Sequence, residues 1–328
     1  MNYRTLGKTG LRVSEISLGT WQVGGKWGSG FDEKNAERIL NEAIDKGINF
    51  IDTADVYENR QSERAVGKVI KSRSEDLYIA TKCGRFLNPH TNEAYQPKVL
   101  REYVEQSLKN TGLERLDLIQ LHCPPTEVYY RQEIFEEFEK LKDEGKIAHL
   151  GVSVQKIEEA LKAIEFPSVC TVQIIFNMFR HRPAELFFKE AKKRNVGILA
   201  RVPLASGLLS GKYSAATTFE SGDHRHFNRK GAAFDQGETF SGIEYDLGLE
   251  AVDRLKAIFP NDMDLAQLAL KWTLMFDAVS CVIPGVSRVD QLHANLGALD
   301  LRDITDEEMK AVEGIYDELI RPSVHHRW

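Results

Sequence analysis

No apolar run in this 328-residue chain approaches the roughly 18 residues a bilayer-spanning helix needs, so no transmembrane helix is expected. Positive charge is also in short supply. Lys and Arg number 43 against 49 Asp and Glu, a formal net charge of −6. That balance argues against general electrostatic affinity for nucleic acid or an anionic membrane and leaves room only for a local basic pocket. There are four cysteines, Cys83, Cys123, Cys170 and Cys281, and none forms a CxxC pair. Zinc-ribbon and thioredoxin readings therefore lose support, and buried free thiols are expected rather than a disulfide frame. Met1 to Val13 contains no apolar stretch of the secretory type, so cytoplasmic residence is the expectation. Low-complexity linkers are missing as well, and one domain over 1–328 is expected.

What is present is a folded-protein composition, 42% hydrophobic and 28% charged, which argues against disorder. Short β-branched runs recur at Glu15–Leu18, Ile48–Asp52, Leu77–Thr81, Asp117–Leu121, Ile147–Val152, Thr171–Ile175, Gly197–Arg201 and Val279–Ile283. Each is apolar through its centre, as a strand covered on both faces should be. Helical patterns lie between them at Glu33–Lys46, Glu63–Ile70, Val99–Thr111, Ile134–Asp143, Lys156–Ile164 and Pro183–Arg194. Further helices are expected at Asp264–Phe276 and Thr305–Leu319, the latter opened by Thr305 with Glu308 three residues on. Eight strand-then-helix units predict an α/β fold, a closed (β/α)8 TIM barrel with extra C-terminal helices. A doubly wound open sheet is the alternative, but no GxGxxG follows the first strand. Thr5–Leu6 and Leu11–Val13 flank Gly7-Lys8-Thr9-Gly10, which predicts a hairpin placed to plug the barrel floor.

Barrels of this kind carry their chemistry where strands end. Strand ends supply Asp52, Lys82, His122 and Ser153, with Tyr57 just beyond the second strand and Gln173 on the sixth. Singly, each has a plain structural reading: Asp52 as a turn cap, Tyr57 as a half-buried aromatic, His122 as a core histidine. An unpaired ammonium at an apolar strand end is harder to dismiss. Together the four ionisable groups describe an acid. A phenol with a free pKa near ~10 is a poor acid at neutral pH, and a neighbouring ammonium is expected to lower it. Asp52 would hold Lys82, and His122 would orient a carbonyl oxygen. No side chain supplies hydride, so a cofactor is implied.

Phe50-Ile51-Asp52-Thr53-Ala54 with Tyr57, Ala80-Thr81-Lys82 and Leu121-His122 resemble the aldo-keto reductase superfamily. The similarity continues through Leu18-Gly19-Thr20-Trp21, Gly151-Val152-Ser153, Pro203-Leu204-Ala205-Ser206-Gly207 and Val282-Ile283-Pro284-Gly285, in order over nearly the whole chain. The resemblance implies an NADP-dependent oxidoreductase that reduces an aldehyde or ketone, a small-molecule carbonyl, with NAD a weaker option. By the same resemblance Tyr57 is the general acid, tuned by Asp52 and Lys82, and His122 aligns the carbonyl. Ser153 and Gln173 would hold the nicotinamide carboxamide, and Trp21 beside Thr20 would line the pocket. Arg201, Val202, Pro203, Leu204, Ala205 and Ser206 would run beside the ribose and pyrophosphate, with Lys212 reaching a phosphate. Gly285, Ser287, Arg288, Gln291 and Asn295 would take the 2′-phosphate end, Arg288 by charge and by its place at a helix start.

Three positions depart from the family pattern. Val154 follows Ser153 where Asn is common, with Gln155 as a substitute. Arg201 stands where many members stack an aromatic ring on the nicotinamide, which would add positive charge beside that ring. Gly285 stands where some relatives carry Lys, placing the NADP preference on Arg288, Gln291 and Arg225 or Arg229. Ser206–Gly242 is too long and irregular for an ordinary loop and reads as a lid or binding loop; its Phe219, Phe227, Phe234 and Phe240 suit either an apolar wall or loop anchoring. No metal is expected, because neither His224-Arg225-His226 nor His325-His326 has ligand partners at the right spacing. Cys83 and Cys123, beside Lys82 and His122, should point away from them and pack. Two other functions fit parts of the pattern: a Schiff-base lyase using Lys82, and a nucleotide-sensing regulatory subunit with little turnover.

Overall fold

The computed structural model describes residues 1–25, 30–260 and 263–328. Strands β1 (Tyr3–Thr5) and β2 (Arg12–Ser14) form an antiparallel hairpin. Eight parallel strands follow in sequence order: β3 (Leu18–Gly19), β4 (Phe50–Asp52), β5 (Tyr78–Cys83), β6 (Leu116–His122), β7 (Ile147–Ser153), β8 (Val169–Ile175), β9 (Gly197–Arg201) and β10 (Val279–Ile283). Backbone bonds from Ser17 N to Val282 O (2.9 Å) and from Gly19 N to Pro284 O (3.1 Å) join the last strand to the first. The barrel is thereby closed, and no open sheet remains.

Helices α1 (Glu33–Asp45), α2 (Gln61–Ser72), α3 (Pro97–Thr111), α4 (Gln132–Asp143), α5 (Ile157–Ala163) and α6 (Phe187–Lys193) cover the outside, each between two strands. The lid contains α7 (His224–Phe227) and leads into α8 (Tyr245–Ile258) and α9 (Leu265–Leu274); α10 (Val289–Leu296), α11 (Asp306–Ile315) and α12 (Arg321–Val324) follow β10. The capping box is present: Thr305 accepts from Glu308 N (3.2 Å) and Glu308 from Thr305 N (2.8 Å).

Side-chain alternation explains how the barrel positions its site. Phe50, Ala80, Leu118, Leu199, Cys281 and Ile283 face inward and form one apolar cluster with Leu6 and Val13 of the hairpin. The hairpin therefore seals the floor, as its sequence predicts. Two residues further along β4, β5, β6 and β9 stand Asp52, Lys82, Gln120 and Arg201. A strand's period of two carries each inward position from apolar floor to polar mouth.

Three expectations are corrected. The first barrel strand is Leu18–Gly19 rather than Glu15–Leu18, because Glu15 is turned to the hairpin, where it accepts from Arg4 (2.9 Å) and Asn2 (2.7 Å). The segment 183–194 is not one helix: a 3-10 turn at Arg182–Ala184 precedes α6, and Leu186 (φ −121°) breaks the run. Helix α8 goes unread at the end of the irregular stretch, although its buried Gly248, Ala251, Val252 and Leu255 have helical spacing.

Buried titratable groups give the fold a pH dependence. Burial pushes His181, stacked between Tyr316 and Trp272, down to about 3, and His224 to about 4, so both are neutral in the folded state. Burial raises Asp55 to about 8, with Glu63 adding to the effect. Below the unfolded histidine value of ~6.5 the unfolded chain binds more protons at both histidines, so stability falls with acid; Asp55 opposes this with a single group, protonated when folded. Above pH 6.5 Asp55 acts alone, and stability falls as pH rises towards 8. The urea midpoint should therefore peak near neutrality and drop on going from pH 6.5 to 4.5, a loss to which the buried, neutral His122 adds. A midpoint that holds or rises over that interval contradicts these assignments.

Candidate active site

Lys82 reaches the mouth with its side chain wholly buried. Its Nζ donates to Asp52 Oδ2 (2.5 Å), to the carbonyl of Thr53 (2.9 Å) and to Tyr57 OH (3.4 Å). An ammonium has three donors, and each finds an acceptor. The other oxygen of Asp52 accepts from Gln173 Nε2 (2.8 Å) and Gln120 Nε2 (3.2 Å). Burial works against the charge on Lys82, but Asp52 and Tyr57 outweigh it and hold its pKa above the ordinary value.

Tyr57 comes from the turn after β4, where Glu58, Asn59 and Arg60 all adopt left-handed backbone conformations (φ 45°, 50° and 72°). Three such residues in a row, none of them glycine, are a costly arrangement that the surroundings must impose. The expected depression of the phenol's pKa is corrected. Burial raises it, Lys82 only partly offsets that, and the net direction is upward. Tyr57 thus keeps its proton at neutral pH.

His122 closes β6 with its ring edge-on to that of Tyr57, centroids 6.1 Å apart. Burial, then the positive charges of Arg85, Lys82 and Arg201, hold its pKa well below the usual imidazole value, so it is neutral. Its Nδ1 is buried without a hydrogen-bond partner among the described residues.

Arg201 ends β9, and Val202 beyond it has φ 54°, unfavourable for a β-branched residue. The Arg201 Nη2 donates to Val154 O (3.1 Å) and Gln155 Oε1 (2.9 Å), so the Gln155 side-chain oxygen is already engaged. Nor does Arg201 bring an uncompensated charge. Glu238 of the lid lies 3.6 Å away, accepts from Gln155 (2.5 Å) and pairs with Arg85 at 3.0 Å. Burial opposes the Glu238 carboxylate, but the two guanidiniums hold its pKa below the ordinary value. Arg85, Gln120 and Glu238 are the functional candidates that sequence reading misses. Arg85 stands three residues past Lys82, outside a strand-end search, and Glu238 lies in the lid, where no periodicity exists to read.

The lid phenylalanines divide between the two expected roles. Phe234 packs near Trp21, which faces Tyr57 (both pairs 6.5 Å between centroids) and also meets His224 at 5.0 Å; these rings wall the mouth. Phe219 and Phe240 pack with Tyr245 and anchor the lid. Trp328 anchors it too: its ring lies over Arg180, and Nε1 donates to Asp235 (2.9 Å).

The remaining cofactor candidates fall into two groups. Ser153, the last residue of β7, pairs with Gln173, two residues before the end of β8. Gln173 spends one of its two amide N–H donors on Asp52, which leaves the other donor and the carbonyl oxygen for a ligand among the described residues. Thr20 supports the end of β4 through a bond to Asp52 O (3.0 Å). The segment Val202, Pro203, Leu204, Ala205 and Ser206 turns through left-handed positions at Val202, Ala205 and Ser206, and the Ser206 hydroxyl is engaged with Glu238 O and Phe240 N (both 3.1 Å). Lys212 is exposed on the rim beyond. At the other end, Gly285, Ser287 and Arg288 lead into α10, with Gln291 bound to Ser287 N (2.8 Å) and Asn295 buried. Arg288 pairs with Asp290 (3.0 Å), while Arg225 is committed to Asp223 (2.5 Å). Arg201 Nε, buried without a partner, together with the start of α10 and its exposed guanidinium, is a donor set that fits an anionic dinucleotide.

Comparison with known proteins agrees with this geometry. The sequence profile described as "Aldo/keto reductase family" matches residues 15–317. Aldo-keto reductase YhdN of Bacillus subtilis is 31% identical over 99% of this chain and 96% of its own length. A probable voltage-gated potassium channel subunit beta of Arabidopsis thaliana is 30% identical over 92% of each chain. The solved structure of the glycerol dehydrogenase AKR11B4 from Gluconobacter oxydans superposes with a TM-score of 0.79 at 28% identity, covering 97% of this chain and 96% of that one. A closed eight-stranded barrel with a buried carboxylate, ammonium and phenol at its mouth, in a chain matched almost end to end, belongs to the aldo/keto reductase family.

Proposed function

We propose that the chain reversibly reduces an aldehyde or ketone to an alcohol with NADPH, with Tyr57 as the acid. The observation that carries this reading is the hydrogen bond from Lys82 Nζ to Tyr57 OH (3.4 Å), with Asp52 on the far side of Lys82 at 2.5 Å. A bound nicotinamide supplies hydride to the carbonyl carbon. Tyr57 gives its proton to the carbonyl oxygen, and the phenolate left behind sits against a charged ammonium that stabilises it. Asp52 keeps that ammonium protonated and aimed. Neutral His122 presents an N–H that positions the carbonyl oxygen without adding a second charge.

The Schiff-base alternative fits poorly. It requires an unprotonated, accessible amine. Lys82 has no exposed surface, and its environment favours the protonated form. The sensing alternative has one specific support, the relatives named as potassium channel beta subunits. It is separated from the enzyme reading by turnover: a sensor binds NADPH tightly and oxidises it negligibly with any carbonyl.

NADP is favoured over NAD by Arg288, Ser287 and Gln291 at the start of α10. Arg288 must give up part of its pairing with Asp290 to meet a 2′-phosphate, so the preference is the difference between two ion pairs.

Tyr57→Phe should lower kcat by about 10²- to 10⁴-fold and leave NADPH affinity, followed by fluorescence titration, nearly unchanged. A variant with wild-type kcat removes Tyr57 from the acid role. Arg288→Ala should weaken NADPH by about tenfold with little effect on NADH, as expected for loss of one charge-assisted contact. Equal weakening of the two cofactors assigns the 2′-phosphate to other residues.

A further inference from the structure

At the barrel mouth the charges do not cancel. Lys82 and Asp52 balance each other, and His122 is neutral. Glu238 is shared between two guanidiniums, Arg85 at 3.0 Å and Arg201 at 3.6 Å, so one positive charge is left over. The hydrogen-bond inventory points the same way. Arg85 donates from Nη2 to Glu238, the one hydrogen bond its guanidinium makes among the described residues. A guanidinium offers a flat fork of donors that matches a carboxylate with two parallel bonds.

Position makes Arg85 the group that a substrate meets. It follows β5 by two residues and lies 5.7 Å from the ring of Phe234. Phe234 faces Trp21, and Trp21 faces Tyr57. The wall around the reacting hydroxyl therefore begins at a guanidinium. Both groups are partly buried, with the Arg85 side chain 21% and Glu238 14% exposed, so solvent screens the leftover charge less than at an open surface.

From this placement we infer that the site selects carbonyl compounds carrying a carboxylate, which Arg85 grips while the carbonyl lies at Tyr57 and His122. This rests on the reductase reading above and adds the substrate class. An anion supplies the missing negative charge and takes up donors that Glu238 leaves idle. A neutral aldehyde does neither. Glu238 then acts as an internal carboxylate that keeps the second arginine satisfied, so that one anion, not two, is wanted.

The test compares matched pairs with NADPH: 4-oxobutanoate against butanal, and 6-oxohexanoate against hexanal, since the reach from Arg85 to the carbonyl sets the favoured length. In the wild type at least one acid should exceed its alkanal in kcat/KM by about 10- to 100-fold, the range for a hydrogen-bonded charge contact. Arg85→Gln should bring that ratio close to one, and Arg85→Lys should retain part of it. Calorimetric titration supplies a readout independent of turnover: hexanoate should bind the protein with NADP+ at least about tenfold more tightly than hexanamide, and Arg85→Gln should abolish the difference. Alkanals reduced as well as the acids would overturn the inference and leave the reductase reading standing, as would a preference for acids that survives Arg85→Gln. If no carbonyl oxidises NADPH, the reductase reading fails, and the hexanoate–hexanamide comparison still decides whether the anion subsite exists.

Discussion

The contact between Lys82 and Asp52 governs the rest of this molecule. An ammonium with no exposed surface is tolerable only with its charge balanced and all three donors bonded. Asp52, the carbonyl of Thr53 and Tyr57 meet that requirement, and Gln120 and Gln173 complete the shell of Asp52. Removing either ion would strand the other, a change that typically costs about 3–5 kcal/mol. The pair is thus expensive as structure. Under the proposed function its return is chemical, because the third donor of the ammonium points at the phenol that would give up and regain a proton.

A second layer of charge is built on the first. Arg85, Arg201 and Glu238 come from three separate places, the loop after β5, the end of β9 and the lid. Their meeting makes lid position and mouth electrostatics one property. Asn177 ties the two ends of the lid together, donating to Val202 O (2.8 Å) and Ser241 Oγ (2.9 Å). Trp328 fixes Asp235, three residues before Glu238. The left-handed residues on either side, Val202, Ala205, Ser206, Phe240 and Ser241, mark backbone held in place by these contacts.

Much of this was readable from residue patterns, for a physical reason. Strands covered on both faces leave short apolar runs, and barrel closure follows from eight of them in order. Asp52, Lys82 and His122 stand where such runs end, so their convergence needed no knowledge of side-chain contacts. Arg85 and Glu238 have no such marker, since they meet through the path of a long loop with no repeat. The direction of the Tyr57 shift is not legible in the sequence for a related reason. A neighbouring cation can be inferred from sequence, but the depth of burial that outweighs it depends on how neighbouring elements close over the ring. Arg201 was recognised as out of pattern, while its balancing carboxylate, 37 residues later in the lid, was invisible.

Under the proposed function the buried ammonium serves a proton-donating phenol beside a hydride source, and does not itself react. The most direct test is to turn over a carbonyl substrate with NADPH deuterated at C4 of the dihydronicotinamide and locate the label by mass spectrometry. Deuterium is expected on the carbinol carbon of the product, with Lys82 unmodified after borohydride treatment. Product without the label, or a borohydride-trapped adduct on Lys82, would contradict it.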